Sequence, residues 1–346
     1  MNFYTGQHKF YCGIDLHARK MYLCILDAKG EVKLHRNMNT DRDAFLRAIE
    51  PYREDLVVAV ECMFAWYWIA DLCRKEGIPF VLGHALYMKA IHGGKAKNDK
   101  IDSHKIAVLL KGGMIPMSYV YPEKLRATRD LMRRRNHLVR KRAELLTHIQ
   151  NTNSQYNLDE SFGCIAKPYQ RGNIVGAFEN PSVKKSMEVD LKVIETYDTT
   201  LLDLERTILK LANSHDPVSY ALLQSVYGIG KICALTILYE IEDIRRFPTV
   251  QDFVSYARLV KCAHESNGKK YGMGGSKIGN AHLKWAFSEA AALFLRGNEP
   301  AKKWFERLTR KHGKSKALSI LAHKLGRAVY FMLKNKEAFD MHKFLR

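Results

Sequence analysis

Short apolar runs alternate with polar turns over the first third of the chain, at lengths typical of strands and short helices. The predicted elements are, in order, strands at about 11–17, 21–27 and 31–36, a helix at 43–50, a strand at 55–61, a helix at 64–76, a strand at 79–83 and a helix from about 100. This β-β-β-α-β-α-β-α order predicts a mixed sheet with helices packed on it. We therefore expect an α/β domain over 1–120.

The pattern changes to long helices near residue 123. A helix over 123–150 has apolar positions spaced near a heptad, namely Leu131, Leu138, Leu145 and Ile149. A second helix over 186–213 would return beside it, after a loop or hairpin cap over 163–185 that is rich in Gly, Pro and Asn. This spacing predicts an antiparallel coiled-coil spacer. The expected regions beyond the first domain are the spacer, 121–215, and a helical domain, 216–346.

The charge of the chain is strongly positive. Among its 346 residues, 56 Lys and Arg face 36 Asp and Glu, a formal net charge of +20. Residues 261–346 alone hold 19 basic and 6 acidic residues, and the helix from 123 carries nine basic residues, among them Arg133, Arg134 and Arg135. An excess of this size indicates a polyanionic partner, and nucleic acid is the first to consider.

The sequence also bears on the cellular compartment. It contains no apolar run of membrane-spanning length and no signal-peptide pattern near its start. Its seven cysteines are scattered and form no Cys-x-x-Cys pair, which favours reduced thiols over disulfides or a zinc site. We expect a soluble, cytoplasmic protein with no membrane association.

Four acidic residues border apolar elements of the first domain. Asp15 lies on the first predicted strand, Glu61 ends the fourth, and Asp99 and Asp102 begin a helix. Residues three apart share a helix face, so the last two carboxylates would project together. Four carboxylates in one place repel one another unless divalent cations neutralise them, and Mg²⁺ prefers oxygen ligands. The set predicts a one- or two-metal site for cutting phosphodiesters.

Each acid also has a simpler interpretation, because Asp commonly caps helices or forms turns. The element order strengthens the joint interpretation. It is the order of ribonuclease-H-like nucleases, which carry one acid on the first strand, one on the fourth and the rest on the final helix.

Two glycines in the C-terminal third, Gly228 and Gly230, precede an apolar helix. A Gly-x-Gly turn between helices lets backbone N–H groups approach phosphate oxygens, as in helix-hairpin-helix DNA-binding modules. A tight packing turn between two helices explains the same residues equally well.

A glycine-rich polar segment over 263–285 combines hydroxyl groups with cations. Its candidate residues are Ser266, Ser276, Lys269, Lys270 and Lys277. A serine could act as the nucleophile of a transesterification while lysines stabilise the charge that develops on the phosphate. A surface loop with turn-forming Ser and Gly residues is the alternative.

Several of these motifs together resemble the DEDD insertion-sequence transposases, which include the Piv-like DNA invertases. The motifs are GIDLHARK at 13–20, the strand ending at Glu61, NDKIDSHKIA at 98–107, the Gly-Ile-Gly turn at 228–230, RRFPTVQDFVSYARLV at 245–260 and HESNGKKYGMGGSKIGNAHLKWAF at 264–287. They occur in the expected order and span nearly the whole chain. The resemblance implies a ribonuclease-H/RuvC-like N-terminal domain and a serine-bearing, helical C-terminal transposase domain.

The resemblance also implies a mechanism and partners. The family's four acids fall on Asp15, Glu61, Asp99 and Asp102, which would bind Mg²⁺ or Mn²⁺, and its catalytic serine falls on Ser266. Ser276 matches a position expected to be structural or to contact DNA. The implied enzyme is a recombinase that exchanges donor and target DNA through a covalent phosphoserine link, guided by a structured noncoding bridge RNA.

The implied assembly is a dimer that forms a tetramer on DNA, with acids from one protomer beside the serine of another, in a prokaryotic cell at the nucleoid. Two alternatives remain open at this point. One is a RuvC-like junction resolvase that hydrolyses DNA with water. The other is a nucleic-acid-binding regulator without catalysis, in which the acids are structural.

Overall fold

The chain folds into two compact units, Met1–Glu123 and Lys124–Arg346, in a computed structural model. The structure describes residues 2–91, 98–158, 165–172, 174–274 and 278–346, and for 262–265 and 270–274 it describes the backbone alone. The division after Glu123 lies close to the boundary expected near residue 120. The further boundary expected near 215 stays a prediction. Together the units form a mixed α/β structure with one five-stranded sheet and many helices.

The first unit contains the predicted elements in the predicted order. They are β1 (Phe10–Leu16), β2 (Lys20–Asp27), β3 (Val32–Asn39), α1 (Arg42–Ile49), β4 (Leu56–Glu61), α2 (Tyr67–Lys75), β5 (Phe80–Gly83), α3 (Ala85–Ile91) and α4 (Asp99–Lys111). Helix α3 is the addition, in a segment for which no element was expected. A short 3-10 helix, Glu50–Asp55, also precedes β4.

The five strands form one mixed sheet in the order β3-β2-β1-β4-β5. The first three strands are antiparallel, as the short turns between them require. Strand β4 lies parallel to β1, with Tyr11 opposite Val57 and Ile14 opposite Val60, and β5 lies parallel to β4. Strands β1 and β4 are therefore neighbours whose carboxyl ends meet at the same edge of the sheet.

Alternation along β1 divides its side chains between the two faces of the sheet. Cys12, Ile14 and Leu16 join an apolar cluster with residues of α1 and α2. Tyr11 lies on the opposite face, in a second cluster with residues of α4. Gly13 and Asp15 share this face by the same alternation, so Asp15 projects toward the side of the sheet that α4 covers.

Gly13 permits an unusually close approach between β1 and α4. A Cβ atom at this position would lie 2.3 Å from the backbone nitrogen of Ala107 and 2.5 Å from the backbone oxygen of Ser103. Both distances are far below van der Waals contact, and both atoms belong to the helix backbone. Any side chain larger than hydrogen at residue 13 would therefore displace α4 from the sheet.

The second unit is built mainly of helices. They are α5 (Glu123–Gln155), α6 (Pro181–His215), α7 (Pro217–Gln224), α8 (Lys231–Ile241), α9 (Val250–Tyr256), α10 (Ala281–Phe294), α11 (Glu299–His312), α12 (Lys314–Asn335) and α13 (Met341–Leu345). The long helices expected at 123–150 and 186–213 correspond to α5 and α6. Helix α6 begins earlier than expected because Asn180 caps it and Pro181 occupies its first position.

A buried carboxylate joins three elements of this unit. The Glu240 side chain of α8 is 2% exposed and accepts hydrogen bonds from Arg129 (3.0 Å) and Arg133 (2.6 Å) of α5 and from Asn280 (2.7 Å). Burial raises the pKa of Glu240, but the Arg133 hydrogen bond and the two guanidinium charges outweigh it and lower the pKa to about 2. Asn280 also caps α10. The carboxylate therefore fixes α5 and the start of α10 to α8.

A β-hairpin occupies the start of the glycine-rich polar segment. Strands β6 (Cys262–Ser266) and β7 (Lys269–Gly274) pair antiparallel. Asn267 and Gly268 join them with φ values of 50° and 71°. Positive φ at both central residues is the requirement of a type I′ turn, for which Asn-Gly is the preferred pair. The part of the 263–285 segment up to Gly274 therefore forms a hairpin, rather than the surface loop that was the alternative interpretation.

Two further expectations concern cysteines and membranes. The five cysteines whose side chains are described, Cys12, Cys24, Cys62, Cys73 and Cys233, carry thiols rather than disulfides. Within the described parts of the chain, no helix has both the length and the apolar character needed to cross a bilayer.

Replacing Gly13 by alanine tests the close packing of α4 on β1. We expect Gly13→Ala to lower the free energy of unfolding by about 1–3 kcal/mol, the usual cost of overpacking, because α4 must move away from the sheet. Chemical denaturation measures the change. Gly176→Ala is the control, since a Cβ there meets no atom within 4 Å. Equal stability of the two variants would contradict the packing argument.

Candidate metal centre and serine hairpin

The ends of β1 and β4 bring Asp15 and Glu61 to the same edge of the sheet. Each residue directly follows the last pair of the parallel ladder, Ile14 and Val60. Val57 and Ala59 of β4 lie in the cluster on the α4 side, so alternation directs Glu61 to the same face as Asp15. The two acids expected from the sequence are thus placed side by side by the register of two neighbouring parallel strands.

The first turn of α4 supplies the other two acids. Asn98 caps the helix by accepting a hydrogen bond from the Ile101 backbone nitrogen at 2.8 Å. Asp99 and Asp102 both lie in the first turn. Negative charge is favourable at a helix N-terminus, where unpaired N–H groups point outward. Asp102 has a basic neighbour one turn later, with 3.5 Å between its Oδ1 and Lys105 Nζ.

His17, which the sequence interpretation did not single out, lies beside these acids. The Nε2 atom of His17 lies 3.5 Å from Asp15 Oδ1 and 3.6 Å from Asp99 Oδ1. The possible ligand atoms of the three residues all lie within 4.8 Å of one another. The signal was available in the sequence, because residues 15 and 17 are two apart at the end of a strand and so share a face.

The electrostatics of Asp15 reflect this crowding. Its side chain is 16% exposed. Burial raises the pKa of Asp15 and the charges of Asp99 and Asp102 raise it further, while His17 acts in the opposite direction. A half-buried carboxylate with two acidic neighbours is costly to ionise and gains from a nearby cation. The oxygen-rich donor set therefore suits a hard divalent metal ion.

Ser266 lies at the tip of the β6–β7 hairpin. It ends β6, pairs with Lys269 across the Asn-Gly turn, and is exposed, as Lys269 is. Of the neighbouring candidates, Lys270 is described by its backbone alone, on β7. Ser276 and Lys277 lie outside the described residues. The structure thus presents one candidate hydroxyl and one candidate cation together at an exposed turn.

The segment after the hairpin is anchored to the core. Arg258 donates a hydrogen bond from Nε to the backbone oxygen of Ile278 at 2.9 Å. The backbone nitrogen of Asn280 donates to the Tyr256 backbone oxygen at 2.6 Å. Gly279 has a φ of +91°, and a Cβ there would lie 2.6 Å from the same oxygen. These contacts hold the C-terminal side of the serine segment against α9.

The three consecutive arginines of α5 differ in their surroundings. Arg133 pairs with the buried Glu240, and Arg135 donates to Glu205 at 2.8 Å. Arg134 is exposed, whereas Arg133 and Arg135 are partly buried residues. Binding of nucleic acid by this run stays a prediction, and Arg134 is the residue best placed for it.

The two candidate glycines of the helix–helix turn also differ. Gly228 has a φ of +86°, and a Cβ there would lie 2.5 Å from the Phe294 backbone nitrogen. Its contact with α10 supports the packing interpretation of this residue. Gly230 precedes α8 as its N-cap, and among the described residues no atom outside its chain neighbours lies within 4 Å of the position that a Cβ would occupy. Gly230 is therefore the one of the pair with room for a phosphate.

Comparisons with known proteins agree over both units. The family profile described as "Transposase IS116/IS110/IS902 family" matches residues 220–306, and a DEDD transposase profile of the IS110 type, described as "Transposase", matches residues 12–158. The chain is also 24% identical, over 94% of its own length and 90% of the relative's, to the "Transposase for insertion sequence element IS1111A" of Coxiella burnetii (strain RSA 493 / Nine Mile phase I). The chain belongs to the IS110 family of DEDD transposases.

Membership of this family sets the class of reaction. IS110-family proteins are insertion-sequence transposases, so DNA is the substrate and transposition by DNA recombination is the activity. The DEDD type agrees with the use of a divalent metal, and the cluster around Asp15 is a candidate place for it. The alternative of a regulator without catalysis finds no support in these comparisons.

The raised pKa of Asp15 predicts how a substitution there changes stability. In the folded protein the pKa of Asp15 lies above its usual value of 3.8. As the pH rises, the unfolded chain therefore loses the Asp15 proton at a lower pH than the folded protein does. The free energy of unfolding falls over this interval, until the pH passes the folded pKa. At pH 7 in chelator, Asp15→Asn should therefore raise the melting temperature, and the gain should vanish below pH 3.8.

Asp203→Asn is the control, since Asp203 is an exposed acid in the interior of α6, away from both ends of the helix. It should leave the melting temperature almost unchanged. Mg²⁺ should stabilise the wild type but not Asp15→Asn. Destabilisation by Asp15→Asn at pH 7 would instead make this carboxylate a structural group.

Proposed function

We propose that this transposase breaks and joins DNA strands with Ser266 as the nucleophile, assisted by a metal centre of Asp15, Glu61, Asp99 and Asp102. The observation that carries the proposal is the arrangement of the four acids. Their carboxylates come from two adjacent parallel strands and the first turn of α4, which packs on the same face of the sheet. A structural cap or turn would account for one such acid but not for this grouping.

We also propose a specific fold for the first unit, for the α5–α6 pair and for the turn before α8. The sheet order β3-β2-β1-β4-β5, with acids on β1, β4 and α4, supports a ribonuclease-H/RuvC-like first unit. The pairing of α5 with α6 supports the coiled-coil spacer, since Ile149 of α5 and Ile194 of α6 share one apolar cluster. The turn before α8 is the candidate helix-hairpin-helix-like element.

The position of Ser266 suits attack on a phosphodiester. An exposed hydroxyl at a hairpin tip can approach a backbone phosphate, and the pairing of Ser266 with Lys269 brings a cation to the same turn. In the proposed step the Ser266 Oγ–P bond forms, the phosphorus–oxygen bond to one deoxyribose breaks, and the hydroxyl proton passes to the departing oxygen. The phosphoserine bond conserves the energy of the cut strand for rejoining.

The four acids would hold Mg²⁺ or Mn²⁺ in this scheme. When bound, a divalent ion supplies charge neutralisation at the scissile phosphate. The elements that carry the four acids would keep the carboxylates in a fixed geometry before DNA binds. The N-terminus of α4 and the ends of two strands are rigid positions suited to that task.

Nucleic-acid binding is proposed for the basic and glycine-rich positions. Arg134 is exposed on α5, Gly230 leaves space at the start of α8, and Lys269 is exposed on the hairpin. The remaining candidates are Arg133, Arg135, Gly228, Lys270, Ser276 and Lys277. A guide RNA that pairs with donor and target DNA would leave the protein mainly phosphate contacts to make, in keeping with its charge.

The proposed assembly follows from the family resemblance. A dimer that becomes a tetramer on DNA would let the acids of one protomer act with the serine of its partner. Water hydrolysis by the acids alone is the competing mechanism, and it would produce no covalent protein–DNA product.

Ser266→Ala separates these two mechanisms. With Mg²⁺, the flanking noncoding RNA and labelled donor and target DNA, the wild type should form a slow-migrating, protease-sensitive DNA adduct on a denaturing gel. The alanine variant should form none, because the attacking oxygen is gone. Ser288→Ala is the matched control, since Ser288 is exposed on α10 and donates a hydrogen bond to the Lys284 backbone oxygen of the same helix. Strand cleavage that persists in Ser266→Ala without an adduct would identify a hydrolase.

Charge reversal at Arg134 tests the nucleic-acid role of α5. Arg134→Glu should weaken RNA binding and lower the slope of log K against log salt by about one unit or more, because at least one phosphate contact is lost. Filter binding at several salt concentrations measures the slope. Lys75→Glu, an exposed site at the end of α2, is the control. An unchanged slope in Arg134→Glu would make this part of α5 a solvated spacer.

A further inference from the structure

His17 occupies a position from which a side chain reaches the metal-binding acids. It follows the end of β1, and its spacing of two residues from Asp15 keeps both on the face covered by α4. The four acids of the DEDD set do not include it. His17 therefore adds an imidazole to a site otherwise described by carboxylates alone.

Both the backbone nitrogen and the backbone oxygen of His17 form hydrogen bonds. Its backbone nitrogen donates to the Lys20 oxygen at 3.0 Å, and its backbone oxygen accepts from Thr40 Oγ1 at 2.9 Å. These bonds close the turn between β1 and β2 and join it to the end of β3. The imidazole thus projects from a constrained turn rather than from a free loop.

The distances within the cluster suit ligands of a shared ion better than direct hydrogen bonds. Nε2 of His17 lies 3.5 Å and 3.6 Å from oxygens of Asp15 and Asp99, longer than a good N–H···O bond of about 3 Å. Neighbouring ligands of an octahedral ion bound at about 2.1 Å are on the order of 3 Å apart. Both distances from His17 Nε2 exceed that spacing by roughly half an ångström, and the possible ligand atoms of all three residues lie within 4.8 Å of one another.

We propose that His17 Nε2 is a direct nitrogen ligand of the divalent cation held by Asp15 and Asp99, and that it gives this centre a preference for Mn²⁺ over Mg²⁺. The inference rests on the proposed metal-assisted function. Mg²⁺ selects oxygen donors, whereas first-row transition metals accept imidazole nitrogen readily. Neutral imidazole with its proton on Nδ1 leaves Nε2 free to coordinate.

Electron spin-echo spectroscopy of the Mn²⁺-loaded full-length protein tests this directly, because a coordinated imidazole imposes ¹⁴N modulation on the manganese signal. We expect the modulation in the wild type and its loss in His17→Asn. His104→Asn is the matched control, since His104 is a histidine on α4 close to the same acids in sequence. That variant should keep the modulation.

Calorimetric titration with Mn²⁺ and with Mg²⁺ supplies a second readout that does not depend on activity. His17→Asp replaces nitrogen with oxygen and should reduce the Mn²⁺/Mg²⁺ affinity ratio by about 10-fold or more, since even outer-shell substitutions change metal affinity by about 10-fold or more. His17 is 54% exposed, so these substitutions do not open the core.

The outcomes separate this inference from the proposed function. If Asp15→Asn abolishes Mn²⁺ binding but the wild type shows no ¹⁴N modulation, or His17→Asn retains it, the role of His17 is overturned while the metal centre stands. If Mn²⁺ binds equally well to Asp15→Asn, both the metal centre and the role of His17 are overturned.

Discussion

The approach of α4 to β1 at Gly13 decides whether the acids of the first unit can act together. Carboxylates at the ends of two strands and at the start of a helix meet only if the helix backbone lies directly on the sheet. A Cβ at residue 13 would lie 2.3 Å from the Ala107 nitrogen, so the contact depends on a missing side chain. The favourable energy of apolar packing around this contact holds like charges together, and a divalent ion would relieve the repulsion that remains.

The second unit depends on a different constraint, the buried carboxylate of Glu240. Its hydrogen bonds reach α5 through Arg129 and Arg133 and reach the cap of α10 through Asn280. Breaking one member of such a buried network leaves a charge without compensation. The serine hairpin precedes Asn280 by only a short segment, so the frame that carries Ser266 is tied to the long basic helix by one ionic cluster.

Local patterns in the sequence were sufficient for most of the first unit. Apolar runs predicted all five strands and three of the four helices described there, and the element order put Asp15, Glu61, Asp99 and Asp102 at the borders of those elements. Their common role as one metal site stays a prediction. Contacts between distant residues could not be read in the same way. The pairing of Arg133 with Glu240 joins positions 107 residues apart, and helix α3 has no distinct periodicity. The Asn267-Gly268 turn was readable in principle, since Asn-Gly between strand-like segments is a strong hairpin signal.

We propose above all that the acids of β1, β4 and α4 form one metal centre in this transposase. Anomalous diffraction from crystals of the protein soaked in Mn²⁺ tests it most directly. We expect a manganese peak within about 2.5 Å of carboxylate oxygens of both Asp15 and Asp99, and no such peak in crystals of Asp15→Asn. A wild-type crystal with manganese bound elsewhere, and none between these two residues, would contradict it.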